Sequence, residues 1–211
     1  MDLDASVSYE GERPYNRRVD LVNALSRIVP FAFASGVNLY ATVAVLGLSS
    51  RFGLVSLPEQ FRAFENPWVI GIALAMVAVE FVADKVPWVD SVWDAVHTVV
   101  RPLGGAFIAV TALGQASSTA QTLAALLGGS VALTTHLTKA GTRVVANTSP
   151  ETFTNWALSF AEDIFVVGLT WFAMQHPFAA TGVVVVLLVV IVATSSMIIR
   201  GLKRRLAGTP T

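Results

Sequence analysis

Five ionisable residues, Glu80, Asp84, Lys139, Glu162 and Asp163, lie inside runs of apolar residues that approach the length of a bilayer crossing. A charge at such a depth costs roughly 2.5–3.5 kcal/mol on insertion scales. A chain keeps it only where it faces a protein interior, a water-filled cavity or a charged partner. With 54% hydrophobic and 13% charged residues, the composition is that of a membrane protein. The fold expected is therefore all-α, with apolar side chains outward and polar ones inward.

The rest of the composition excludes more than it suggests. Net charge is zero, which gives no footing for nucleic acid. Without cysteine there are no disulfides, thiolate metal sites or cysteine nucleophiles. Residues 1–29 are polar, with Glu10, Glu12, Arg13, Arg17, Arg18, Asp20 and Arg27, and lack the apolar centre and cleavage site of a signal peptide. They read as a cytoplasmic segment, disordered over residues 1–16. Over residues 17–29, Val19, Val22, Leu25 and Val29 outline a short amphipathic helix. A polytopic membrane domain follows over residues 30–200, then a cytoplasmic basic tail over residues 201–211.

Six segments approach the roughly 20 residues that a helical crossing needs. They cover residues 30–50, 66–84, 103–127, 128–146, 149–174 and 178–200. The first opens at Pro30 and is interrupted by Gly36 and Asn38. The second begins at Asn66-Pro67, an N-cap followed by proline at the first helical position. In the third, Gly104, Gly105 and Gly114 are small packing positions. The fourth follows a break at Gly128-Gly129, and the fifth starts near Ser149-Pro150-Glu151. The sixth is almost pure Val, Ile and Leu. If both termini are cytoplasmic, Arg13, Arg17, Arg18, Arg27, Lys85, Arg101, Lys139, Arg143, Arg200, Lys203, Arg204 and Arg205 fall inside. Only Arg51 and Arg62 are then outside, as the positive-inside rule asks. Three spans in each half also permit two inverted three-helix repeats, aligning residues 36–40 with 129–133. In an alternative with the same parity, the first and fourth segments are broken or re-entrant.

The fourth segment is the most polar. His136, Lys139 and Arg143 fall at i, i+3 and i+7 on one helical face, which reads as a pore-lining or substrate-binding surface. Snorkelling of Lys139 and Arg143 to the inner surface is the plainer reading. Glu80 and Asp84, four residues apart, share a face of the second helix. Glu162 and Asp163 point about 100° apart. These carboxylates either hold a proton or cation, or are neutralised as structural pairs. Around Asn38, the neighbouring Tyr40 and Thr42 add polar groups where an unwound helix would line a cavity.

Between the second and third segments, Asp90, Asp94, His97 and Arg101 form a polar stripe opposite Val89, Val92, Trp93, Val96 and Val100. That pattern predicts an interfacial amphipathic helix with a solvated polar face. Asp90, Asp94 and His97 could alternatively hold a divalent cation, the one cofactor this sequence suggests.

Residues 36–42, residues 80–90, Asp94, His97, Arg101-Pro102-Leu103-Gly104-Gly105 and residues 139–150 together resemble a bacterial membrane family catalogued as domain of unknown function 4126. The resemblance covers about residues 30–200. It implies an integral inner-membrane protein and brings no activity.

The leading functional expectation is a small inner-membrane transporter or channel-like permease. Its interior site would comprise Asn38, Tyr40, Glu80, Asp84, His136, Lys139, Arg143, Glu162 and Asp163, acting on a small solute or ion. A metal-assisted membrane enzyme at Asp84, Asp90, Asp94 and His97 is one rival. A non-catalytic membrane partner protein is the other. Its surroundings are the lipid bilayer, and a homo-oligomer is left open.

Overall fold

A computed structural model of the protein describes residues 17–147 and 152–207, all of them helix or connecting turn. The helices are α1 (Arg17–Val37), α2 (Leu39–Arg51), α3 (Pro67–Ala83), α4 (Pro87–Leu113), α5 (Ser118–Asn147), α6 (Thr152–Gln175) and α7 (Pro177–Ala207), with a 3-10 helix over Glu59–Glu65 before α3. The expected disorder over residues 1–16 and the expected helix start at Ser149-Pro150-Glu151 lie outside the described residues.

Local chemistry explains most boundaries. The Asn66 side chain accepts from the Trp68 N–H, and Pro67 takes the first helical position of α3. Pro87 and Pro177 open α4 and α7. Gly114, at φ +71°, ends α4 in a conformation that side chains disfavour. It is thus a helix stop, and not the packing position expected of it.

Asn38 is a true break. It sits in extended backbone at φ −148° and ψ 101°, and its side chain accepts from the Ala41 N–H to cap α2. The chain reverses there. Phe31 of α1 meets Phe61 edge-on at 5.7 Å, Phe61 lies beside Phe64 at 6.0 Å, and Gly47 of α2 abuts Phe64 and Ile70. Both arms thus diverge from Asn38 toward the end of the bundle that carries the 3-10 helix. The first segment, expected to cross or alternatively to be broken or re-entrant, is broken at Asn38 into two helices that fold back together. Pro30, expected to open it, lies inside α1.

The third and fourth segments also divide elsewhere than expected. α4 runs unbroken from Pro87 through Pro102 to Leu113, and α5 runs unbroken through Gly128-Gly129. Gly128 lies against Ala109 and the Gly105 carbonyl, and Gly105 against Ala132. These glycines bring two backbones together instead of breaking a helix. With α5 continuous, the expected inverted repeat has no second break to match Asn38.

The polar stripe of α4 faces inward, against the interfacial expectation. Asp90, Asp94, His97 and Arg101 are buried, while Val92, Val96 and Val99 are exposed. The same inversion holds elsewhere: Trp68, Ile72, Leu103, Leu126, Ile164 and Val189 are exposed around a charged interior. Such a surface suits hydrocarbon and not water. By length and composition three helices among the described residues can cross a membrane, Trp88–Leu113, Trp156–Gln175 and Pro177–Gly201. A fourth crossing results if the 3-10 helix and α3, bent by 63°, form one broken span. The polar faces of α5 keep it below that threshold although it has 30 residues.

The Thr181 hydroxyl near the start of α7 donates to the Ser26 carbonyl of α1 at 2.8 Å. Further along, Val184, Leu187, Leu188 and Ile191 join Phe33 and Val37 in one apolar cluster. α7 therefore runs parallel to α1 and beyond its tip. The described termini lie at opposite ends of the bundle.

Candidate functional site

α3, α4, α5 and α6 bring together charged residues that are separated by up to 82 positions in the chain, beneath the tip of the α1–α2 pair. Helical spacing aligns each set: Glu80 and Asp84 on α3, Asp94 and Arg101 on α4, Lys139 and Arg143 on α5. Arg101 Nη2 donates to Glu80 Oε1 at 2.5 Å, and Arg101 Nη1 lies 3.6 Å from Asp94 Oδ1. Lys139 Nζ reaches Glu80 at 3.2 Å, Asp84 at 3.4 Å and Glu162 at 3.5 Å. Arg143 Nη2 binds Asp84 Oδ2 at 2.9 Å and Glu162 Oε2 at 2.6 Å. The side chains of Glu80, Asp84, Arg101 and Arg143 are at most 1% exposed, whereas Glu162 retains 14%. The network is therefore buried except at Glu162, where it reaches the surface of the bundle.

The break at Asn38 supplies backbone to this network. The carbonyls of Gly36 and Val37, left free at the end of α1, accept from Arg101 Nη1 at 3.4 Å and Lys139 Nζ at 3.3 Å. Cations are favoured at a helix C-terminus, where the dipole is negative. On the other side of the break the Asn38 amide donates to Asp163 Oδ1 at 3.2 Å. Asn38→Ala removes both the α2 cap and this cross-helix bond. It is expected to lower the unfolding free energy in detergent by about 1–2 kcal/mol, and a change below a few tenths would refute the role.

Two histidines are tied into the network by both ring nitrogens. Arg101 Nη1 donates to His136 Nδ1 at 2.7 Å, so Nε2 carries the proton and donates to the Asp94 carbonyl at 3.0 Å. His97 Nδ1 donates to the Trp93 carbonyl at 2.7 Å, and its Nε2 is hydrogen-bonded to the Tyr40 hydroxyl at 3.0 Å. Both nitrogens of His97 are thus engaged, and Asp94 is turned toward Arg101. Among the described residues no group of three His, Cys, Asp or Glu side chains is placed to hold a metal ion. Asp90, Asp94 and His97 do not converge as the metal reading would need.

Outside the spans, Lys85 lies beside the Asp84 and Asp163 side of the network. Its Nζ sits 3.0 Å over the Phe81 ring and donates to the Phe81 carbonyl at 2.8 Å and to Ser159 at 3.5 Å. Burial pushes its ammonium below the usual lysine range, against the opposing pull of Asp163 and Asp84.

Every interior residue singled out in the sequence lies in or beside this network. Arg143 and Lys139 are paired inside and do not snorkel. Arg101 was missed as a member, although it is fully buried and binds two carboxylates, a histidine and a carbonyl. Its signal was present: it continues the 90, 94, 97 stripe directly into an apolar run.

A family model described as Domain of unknown function (DUF4126) matches residues 26–196. No curated protein and no solved structure matches the chain.

Proposed function

The chain belongs to the DUF4126 family, and from its interior we propose that it is a small membrane permease, a transporter or channel-like protein whose buried carboxylates bind a proton or cation. One observation carries this reading. Glu80 Oε2 and Asp84 Oδ1 are buried acceptors with no hydrogen-bond partner among the described residues. They belong to a cluster in which, among the described residues, the four carboxylates of Glu80, Asp84, Asp94 and Glu162 form ion pairs with Arg101, Lys139 and Arg143. A buried carboxylate without enough donors takes up a proton or a cation. The shape of the interior agrees. The charged path runs from Glu162 to the helix break, then meets an apolar plug of Ile28, Phe31, Phe61, Phe64 and Ile108. A polar path closed at one end is what an alternating-access cycle requires of one of its states.

The test is flux of H⁺, Na⁺ and K⁺ into proteoliposomes. Glu80→Gln keeps the side-chain shape and one acceptor while removing charge, and is expected to abolish flux or its pH dependence with the fold retained. The exposed Arg62→Gln serves as control. Wild-type flux from Glu80→Gln would end this reading. A second reading, a membrane partner protein whose charges hold its helices together, is favoured by the pairing of Lys139 with three carboxylates. Under it, Glu80→Gln lowers the unfolding midpoint and no flux exists to lose.

We further place the protein in the inner membrane with its termini on opposite faces, in place of the expected cytoplasmic position of both: the 3-10 helix with α3, then α4, α5, α6 and α7 are taken as five alternating crossings, α5 by virtue of its 30 residues, and the α1–α2 pair returns to the side it came from. Arg101, Lys139 and Arg143 are buried and drop out of the surface charge count. Arg200, Lys203 and Arg204, next to the most apolar span, then mark the cytoplasmic face. A reporter fused after residue 211 should read cytoplasmic and one before residue 1 periplasmic. Cytoplasmic signals from both would refute the re-entrant topology.

A further inference from the structure

The face of α5 that looks away from the ion network borders a groove of about 970 Å³ between its C-terminal half and that of α7, floored by Leu158 of α6. Its α5 wall carries Thr134, Thr138 and Thr142, four residues apart, and each hydroxyl donates to the carbonyl four residues back, of Ser130, Thr134 and Thr138. With the hydroxyls so engaged, these positions add methyl groups to a wall that also holds Leu137 and Val145. Ile191, Val192 and Ile198 line the α7 side. The groove is open at its side and lies where the outer surface of the bundle is apolar, so its occupant comes from the bilayer.

Length and charge identify that occupant. The α5 wall spans residues 134–146, about 18 Å at roughly 1.5 Å per residue. That is close to one leaflet, half of a hydrocarbon core about 30 Å thick. Immediately past the groove-lining Ile199, α7 carries exposed Arg200, Lys203 and Arg204. Neither α5 nor α7 contains an acidic residue, so nothing on either wall neutralises that end. Near the same end Thr194, Ser195 and Ser196 put hydroxyl-bearing residues along the α7 wall. An acyl chain along the apolar wall and an anionic headgroup at a basic helix end match this sequence of environments.

We propose that the α5–α7 groove is a binding site for an anionic phospholipid, with acyl chain against Leu137, Val145 and Ile198 and phosphate at Arg200, Lys203 and Arg204. The site is separate from the ion network and does not depend on the permease reading.

Gly141 makes the test clean. A Cβ at this position meets nothing within 4 Å, so Gly141→Leu fills groove space without displacing a neighbour, and leucine favours helix over glycine. The delipidated full chain in detergent is titrated with phosphatidylglycerol, with phosphatidylcholine of the same acyl chains, and with inorganic phosphate. Bound lipid is read by native mass spectrometry and stabilisation by the thermal midpoint. The expected result is one phosphatidylglycerol per chain, bound at least tenfold more tightly than phosphatidylcholine, and no response to phosphate. Gly141→Leu should keep the lipid-free midpoint and weaken phosphatidylglycerol binding at least tenfold. Arg200→Gln/Lys203→Gln/Arg204→Gln should reduce phosphatidylglycerol to the affinity of phosphatidylcholine. Equal affinity for the two lipids in the wild type would overturn the headgroup assignment. Undiminished binding by Gly141→Leu would overturn the groove. If the wild type is a dimer that Gly141→Leu separates, the groove is an interface between copies and the proposal fails.

Discussion

Arg101→Met is expected to lower the unfolding free energy by about 3–5 kcal/mol, the range seen when one partner of a buried ion pair is removed. Arg101 has no exposed surface and holds Glu80 at 2.5 Å, Asp94 at 3.6 Å and His136 Nδ1 at 2.7 Å. Methionine fills much of the same volume, so the loss is electrostatic and not a cavity effect. Glu80 would keep Lys139, but the ion pair of Asp94 with Arg101 would be gone, and desolvation would fall on the charge left behind. The double variant Arg101→Met/Glu80→Gln should therefore lose less than Arg101→Met alone, because it removes a carboxylate along with its cation. Denaturant unfolding of the four members of this cycle in detergent measures the coupling. If Arg101→Met costs under about 1 kcal/mol, or if the two changes are additive, the interior is not the tightly coupled network described above.

Gly128→Leu is expected to cost about 3 kcal/mol, at the upper end of overpacking penalties, and to reduce the yield of folded protein. A Cβ there would strike Ala109 and lie 2.6 Å from the Gly105 carbonyl oxygen. The obstacle is backbone, which cannot rotate away as a side-chain tip can, so α4 and α5 would have to separate. Separation would also shift Arg101 relative to His136, since those residues sit on the same two helices. The contrast with Gly141→Leu, on the same helix and facing open space, is expected to be complete: loss at one position, no loss at the other. Unfolding midpoints of the two variants measured side by side decide it. Equal midpoints would mean that the α4–α5 crossing is looser than the structure shows.

Much of the plan was legible residue by residue. Glu80, Asp84, Lys139 and Glu162 in apolar runs imply an inward polar cluster, because hydrocarbon tolerates no lone charge. Lys139 indeed pairs with the other three. Asn38 beside Gly36 implies an interruption, since an Asn side chain caps a following helix better than it continues one. Asn66-Pro67 marks a helix start for the same local reason. Each of these depends on a residue and its near neighbours, or on the cost of placing one group in lipid.

What the sequence left open depended on residues far along the chain. The 90, 94, 97 and 101 spacing shows that four polar groups share a face, but not whether that face meets water or protein. It turns inward because Glu80, 21 residues before Arg101, and His136, 35 residues after it, come to meet it. Gly128 reads from the sequence as a helix break, and only the Gly105 backbone lying opposite makes it a close crossing instead. Whether the segment through Asn38 crosses or returns is likewise not a property of that segment. It returns because Phe61 and Phe64 give Phe31 on one arm and Gly47 on the other a common apolar surface. Periodicity determines which side chains point together; only the tertiary structure supplies what they point at.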